Sequence, residues 1–368
     1  MSSLRPVRFP VDVTEFPLVK PFCFETKKRV LESLLPGELL LAPVTAGICG
    51  SEIHYFLGLK EEEKLRERLP MCLLHEGVCR VLHPGDSQLP VGSMVVPIPM
   101  LPCGQCSACI KGAENLCSQS KFMAATADGM ARTAFSYPWK RVVPLPQGVG
   151  PRSGALTEPL SIAYRTVTTA RLKGTETVAV LGDGPIGYFV ALMASRVGKI
   201  ARERLWFLGV VDEKLQMASS FAHSVNTKGL SAKDVASRTG PIEVSFECVG
   251  GRVGEITLGQ AIEMLDPLGS LYMLGLSPDK VPLKTIDVVN KGLTLQGCSR
   301  SRPEDYAHVL ELLKEERFNE WASQVVDDVS YPIRGADDLE AAFRFADTSQ
   351  DPAKHKGRVM VEMVCADR

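Results

Sequence analysis

Residues Gly182-Asp183-Gly184-Pro185-Ile186-Gly187 spell G-x-G-x-x-G, and their setting constrains this chain more than any other feature. The apolar run TVAVL ends directly before them and YFVALMAS begins directly after, so the motif sits between a buried strand and a helix. There the glycines permit a tight turn, close approach of a pyrophosphate and close packing of helix on strand, while the helix N-terminus attracts phosphate. Gly182, Gly184, Pro185, Ile186 and Gly187 are therefore candidate dinucleotide contacts; a purely structural glycine turn is the bland alternative. Further apolar strands at LWFLGVV, EVSFECVG and GSLYMLGL, separated by helix-length segments, predict alternating β and α around a doubly wound parallel sheet.

The choice between NAD(H) and NADP(H) turns on the end of the second strand, Trp206-Phe207-Leu208-Gly209-Val210-Val211-Asp212-Glu213-Lys214. Counting back from the helix that holds Lys214 and Leu215 puts Gly209, not Asp212, where a carboxylate would bind the ribose 2′-hydroxyl. Without that carboxylate a 2′-phosphate is not repelled there, and Lys214 is a candidate partner for it. NADP(H) is favoured; Asp212 binding NAD(H) is the competing reading.

Up to about residue 155 the pattern differs, with short β-branched runs broken by Gly and Pro, such as GELLLAPVTAGICG and LPVGSMVVPIPM. This predicts a β-rich, barrel-like domain. Helical spacing starts at TEPLSIAYRTVTTARL, and the tail offers a helix in EDYAHVLELLKEE and a strand in GRVMVEMV. The expected division is residues 1–160, with 300–368 returning to them, and residues 161–299 for the parallel-sheet domain. The mixed-sign run at 60–68 reads as a solvated helical face.

With 42 Lys plus Arg against 43 Asp plus Glu, the net charge of -1 gives no global attraction to nucleic acid or an acidic membrane. The N-terminal stretch lacks a signal-peptide apolar core, and no apolar run is long enough to span a bilayer. The expectation is a soluble, cytoplasmic protein.

In such a setting, cysteine clusters hold metal more often than disulfides. Of 11 cysteines, Cys103, Cys106, Cys109 and Cys117 crowd into one short run, enough for a closed tetrahedral zinc site that stabilises without leaving a position for chemistry. A zinc ribbon on nucleic acid is the alternative, and the neutral chain counts against it. A second, dispersed set consists of Cys49, His75, Glu76 and Glu158. One thiolate, one imidazole and one or two carboxylates suit a catalytic zinc with an open position. Singly, each has a plain reading as a packed cysteine, a core histidine or a helix N-terminal carboxylate. Cys23, Cys72, Cys248, Cys298 and Cys365 read as ordinary thiols, and His83, His223, His308 and His355 are assigned nothing.

Cys-Gly-Ser-Glu at 49–52, His75-Glu76, the four-cysteine lobe, Glu158-Pro159-Leu160 and the glycine turn follow one another as in the zinc-containing medium-chain dehydrogenase/reductase superfamily, which the chain resembles over essentially its whole length. The resemblance implies an α/β protein with a GroES-like β-rich catalytic domain and a Rossmann domain. It implies two zinc ions, with Cys49, His75 and Glu76 or Glu158 holding the catalytic one. Ser51 and His54 would relay the alcohol proton. Two departures stand out: Leu74 where glycine usually precedes the His-Glu pair, and Cys79 in place of another glycine.

LPMCLLHEGV, FECVGG, LGSLYMLGLS and KGLTLQGCSRS are similar to the ribulose-5-phosphate reductases, which favour NADPH but lack the four-cysteine lobe. The implied substrate is a small sugar or polyol phosphate, the implied assembly a homodimer or homotetramer, and neither nucleic acid nor membrane is a partner. Arg300 and Arg302 in SRSRPE are candidates for the substrate phosphate, with a surface loop as the alternative. Two other readings remain open: an NAD-linked polyol, threonine or simple alcohol dehydrogenase, and a nucleotide-binding sensor or scaffold without turnover.

Overall fold

The structure is a computed structural model that describes residues 5–251, 253–277 and 280–364; Cys365 lies outside them. The chain forms two compact units, Met1–Glu158 with Arg302–Arg368, and Pro159–Ser301.

In the first unit, the strand Glu38–Gly47 is flanked by antiparallel neighbours on both sides, Glu76–His83 and Arg358–Met363. Its burial is nearly continuous, because its ELLLAPVTAG residues meet packed side chains on both faces. Met94–Pro97 and Val142–Pro144 extend the sheet beyond Glu76–His83, and Val326–Ile333 pairs parallel with Arg358–Met363 at the other end. The apolar strand read at GRVMVEMV thus joins the first unit. Phe24, Phe56 and Phe343 meet beside the sheet with ring centroids 5.2–5.9 Å apart. Phe343 lies on the amphipathic helix Ala336–Ala346, and burial of such a ring stabilises by about 2–3 kcal/mol.

The second unit has a six-stranded, all-parallel sheet. Its spatial order is His223–Asn226, Leu205–Gly209, Val178–Leu181, Ile242–Glu247, Leu265–Met273, Thr294–Gly297. The chain begins in the middle and winds outward in both directions, so the order reverses between Val178–Leu181 and Ile242–Glu247. Ligands of such sheets bind outside the strand C-termini at that reversal. Val178–Leu181 is buried at every position, as expected of a strand covered on both faces. The charged helix Glu62–Arg68 buries no residue. Among the described residues no helix is long and apolar enough to cross a membrane.

Candidate functional site

Cys49 immediately precedes the helix Gly50–Phe56, in extended backbone at φ -84°. One turn on, fully buried Glu52 turns back: Oε2 accepts from the Cys49 amide at 2.9 Å, and Oε1 lies 2.7 Å from His75 Nδ1. One carboxylate thereby fixes both the thiol-bearing backbone and the imidazole. With Nδ1–H donating to Glu52, Nε2 faces Glu76 Oε1 at 3.8 Å. Burial works against the imidazolium, but Glu52 and Cys49 outweigh it and raise His75 well above the ordinary histidine value.

Glu76 opens the strand Glu76–His83, and its Oε2 lies 3.2 Å from Arg358 Nη1, which also donates to the Ile48 carbonyl at 2.8 Å. The ion pair is close but poorly aligned, so Oε2 is a buried oxygen without a hydrogen bond. Glu76 is pushed up by burial, against the pull of Arg358 and His75. Glu158, also buried, stands in the first turn of Thr157–Ala170 and is raised to about 7 by burial and the Glu76 charge.

Ligand atoms of Cys49, His75 and Glu76 all lie within 4.8 Å of one another; Glu158 is not in that mutual cluster. A tetrahedral ion with bonds of about 2.0–2.3 Å spaces its ligands about 3.5 Å apart. The thiol, the imidazole with its other nitrogen anchored on a carboxylate, and the orphaned carboxylate oxygen together fit zinc. Ser51 is exposed, and its Oγ donates to Cys49 Sγ at 3.3 Å. His54 reaches the surface of the same helix; partial desolvation and the Lys60 charge hold it below the ordinary value, so it favours the neutral form.

The departures at 74 and 79 have a shared local setting. Leu74 sits at φ 74°, the left-handed region glycine enters freely, and is fully buried. The strain, roughly 1–2 kcal/mol, is opposed by the Met130 amide donating to Leu74 O at 2.7 Å. Met130 also lies under the second departure, its Sδ 3.6 Å from Cys79 Sγ.

The four-cysteine lobe turns at Gly104 and Gly112, with φ 76° and 70°. Cys106 Sγ lies 3.5 Å from Cys109 Sγ and 3.8 Å from Cys117 Sγ, and Cys117 Sγ lies 3.5 Å from Cys103 Sγ. A zinc tetrahedron with bonds of about 2.3 Å has sulfur–sulfur edges of about 3.8 Å. Disulfides, at about 2.05 Å, do not match these separations, and all four cysteines are free. The Cys109 amide draws the Cys106 thiol down to about 6, which favours a thiolate.

In the second unit each glycine of the turn has its own reason. Gly182 takes φ 117°, and a Cβ there would press on Val249 and the Cys248 backbone. A Cβ on Gly187 would collide with the Gly182 carbonyl oxygen, so helix and turn pack only without it. Around Gly184 nothing lies within 4 Å of a Cβ, which leaves the start of Pro185–Arg196 open to an approaching phosphate. Pro185 takes the first helical position, Ile186 is half-buried, and Gly209 ends its strand. Asp212 accepts from Asn226 Nδ2 at 2.7 Å, and Lys214 is buried in Asp212–Gln216.

Arg300 adopts φ 56°. Arg302 precedes Pro303–Leu312, where its Nε donates to Asn115 Oδ1 at 3.1 Å and its Nη1 lies 3.7 Å from Glu304. Sequence reasoning missed two residues. Glu52 carried a signal, one helical turn after Cys49; Arg358 carried none, being remote in sequence from everything it touches.

Two family descriptions match the chain: "Alcohol dehydrogenase GroES-like domain" over residues 35–147 and "Zinc-binding dehydrogenase" over residues 185–315. Ribulose-5-phosphate reductase 2 of Staphylococcus aureus is 29% identical over 303 residues, 82% of this chain and 85% of that protein. Ribulose-5-phosphate reductase of Bacillus spizizenii is 28% identical over 328 residues, 86% of this chain and 90% of that protein. The crystal structure of S. aureus TarJ in complex with NADPH shares the fold, with a TM-score of 0.78 at 24% identity over 96% of this chain and 100% of that one. With these likenesses and the donor sets above, the chain belongs to the zinc-dependent, medium-chain alcohol dehydrogenase family.

Proposed function

We propose that this dehydrogenase reduces a ketose phosphate to a polyol phosphate, with ribulose 5-phosphate to ribitol 5-phosphate as the best match, and takes its hydride from NADPH. The observation that carries the reading is the convergence of Cys49, His75 and Glu76 on one point, with the imidazole and the cysteine backbone fixed by a single buried carboxylate. The substrate class is supported by the reductases that resemble the chain over more than four-fifths of its length.

Cys49, His75 and Glu76 would hold the catalytic zinc, with Glu158 as a further carboxylate. Bound there, zinc supplies Lewis-acid polarisation of the substrate oxygen. Ser51, whose Oγ donates to Cys49 Sγ, would give a proton to that oxygen, and His54, which favours the neutral form, would exchange protons with solvent. Gly182, Gly184, Pro185, Ile186 and Gly187 would cradle the dinucleotide pyrophosphate, with Gly209 and Lys214 at its adenosine end. Arg300 and Arg302 remain the cations proposed for the substrate phosphate. The four-cysteine lobe would hold the second, structural zinc. Its unpaired thiols suit the reducing cytoplasm. The edge strand Thr294–Gly297, with exposed Ile286 and Val289 nearby in sequence, supports a homodimer or homotetramer.

The test follows loss of reduced nicotinamide absorbance with D-ribulose 5-phosphate. It is run with NADPH and NADH, with unphosphorylated ribulose, and with a Cys49→Ala protein. Turnover that needs NADPH, the phosphate and Cys49 supports the cofactor, the substrate class and the role of Cys49 together. No turnover by zinc-replete protein removes the ribulose 5-phosphate assignment.

A further inference from the structure

Gly209 carries no carboxylate, yet the end of its strand is not free of one. The turn after Val178–Leu181 sends Asp183 across to the loop after Leu205–Gly209, where its Oδ2 accepts from the Val210 amide at 2.6 Å and the Val211 amide at 2.8 Å. A Cβ on Gly209 would lie 2.5 Å from Asp183 Oδ2, 2.7 Å from its Cγ and hard against its Cβ. The two residues are interlocked: Asp183 occupies the space that any side chain at 209 would need.

We propose that Asp183 is a specificity-determining residue of the dinucleotide site, returning to the adenosine end the carboxylate that Gly209 lacks and so holding back the preference for a 2′-phosphorylated cofactor. This rests on the reading of a dinucleotide site above and narrows its cofactor choice: Gly209 admits a 2′-phosphate, and Asp183 limits how far NADPH is preferred over NADH. The loop that receives Asp183 is fixed from its other side, since the Thr227 amide and Oγ1 donate to the Gly209 carbonyl at 2.7 and 3.0 Å. Asn226 meanwhile ties down Asp212, at 2.7 Å. The carboxylate is therefore held in place rather than swinging with the loop. Oδ2 takes both amides, which leaves Oδ1 as an acceptor suited to a ribose hydroxyl and repulsive to a phosphate. Because the two amides are already engaged, they are not available to bind a 2′-phosphate themselves.

The experiment measures dinucleotide affinity by nicotinamide fluorescence, and kcat/KM with NADPH and NADH, for wild type and four variants whose folding is checked by thermal melting. Asp183→Asn keeps an acceptor for both amides and removes only the charge. It should raise the NADPH-to-NADH ratio about tenfold, and Asp183→Ala should move the ratio the same way. Gly209→Asp alone should weaken both cofactors at least tenfold, because its Cβ meets Asp183. The double variant Asp183→Gly with Gly209→Asp should regain NADH binding and reject NADPH. A ratio unmoved in both Asp183→Asn and Asp183→Ala overturns the proposal, as does a Gly209→Asp protein that binds NADH as well as the double variant. A wild type that binds neither dinucleotide sinks the parent reading, and with it this one; a wild type that binds with an unmoved ratio sinks this one alone.

Discussion

Replacing Glu52 with Gln tests whether one buried carboxylate organises the proposed catalytic zinc site. The side chain is fully buried and accepts two hydrogen bonds, from the Cys49 amide at 2.9 Å and from His75 Nδ1 at 2.7 Å. Gln has nearly the same shape but offers one acceptor oxygen and one donor nitrogen, so it satisfies one of these partners and confronts the other with a donor. If the oxygen stays with Cys49, the amide nitrogen faces His75, and the imidazole must move its proton to Nε2, the nitrogen that faces Glu76. A protonated Nε2 is not a metal ligand. Hydrogen bonds to charged groups contribute about 1.5–3 kcal/mol, and loss of an outer-shell partner of a histidine ligand weakens metal binding about 10–100-fold. The two scales agree, at roughly 1.4–2.7 kcal/mol.

The assay is competition for zinc against a chromophoric chelator, following the two release steps per chain that the proposed zinc sites would give. The four-cysteine lobe is the internal reference, since Glu52 touches none of its members. Weakening of one step by about 10–100-fold with the other unmoved is the expected result. Equal weakening of both would mean a general loss of folding, and no change in either would refute the role given to Glu52.

The remaining predictions follow from single contacts. In metal-free protein Glu158 is raised to about 7, so the folded state holds a proton that the unfolded carboxyl has lost. Stability from this group is present near pH 4 and is lost as pH rises from about 4.5 to about 7, on the order of 3 kcal/mol. The melting temperature of chelator-treated protein should fall over that range and flatten in Glu158→Gln; a rise with pH would contradict the sign. Gly187→Ala forces a Cβ against the Gly182 backbone, and should leave a folded chain whose dinucleotide affinity, read by fluorescence titration, drops at least tenfold. Cys103→Ser should remove one zinc per chain by metal analysis and lower the melting temperature, while kcat changes little if the lobe is purely structural. Leu74→Gly relieves a φ of 74° but empties a fully buried site. The net change is about 2 kcal/mol destabilising, and an increase in melting temperature would show that strain dominates.

Features written in contiguous residues are legible in the sequence. The glycine turn announces itself because two tight contacts, at Gly182 and Gly187, and one open approach, at Gly184, call for three glycines within six positions, and the parallel sheet because its doubly covered strands read as unbroken apolar runs. The cysteine lobe is legible for the same reason of closeness. Arg358 is the opposite case. Its partners Ile48 and Glu76 lie at the far end of the chain, joined to it only through strand pairing of Met360 with Gly47 and Val361 with Ala46. Gly209 was legible as a missing carboxylate but not as an occupied space, since the occupant, Asp183, belongs to a different turn. Local pattern reports what a residue is, whereas its neighbours across a sheet depend on topology that no short window contains.

The pairing of Arg358–Met363 with Glu38–Gly47 also sets an order of events during synthesis. Cys49, Glu52, His75 and Glu76 leave the ribosome early, but the buried cation beside Glu76 arrives only with the last strand of the described chain. Until then the sheet has an open edge next to the proposed metal ligands, and Glu76 lacks its buried guanidinium partner. The four-cysteine lobe, whose sulfurs are all encoded within one short run, can close around an ion as soon as that run is made. The two proposed metal sites of one polypeptide would thus mature at different times, one locally and early, the other only when the ends of the fold have met.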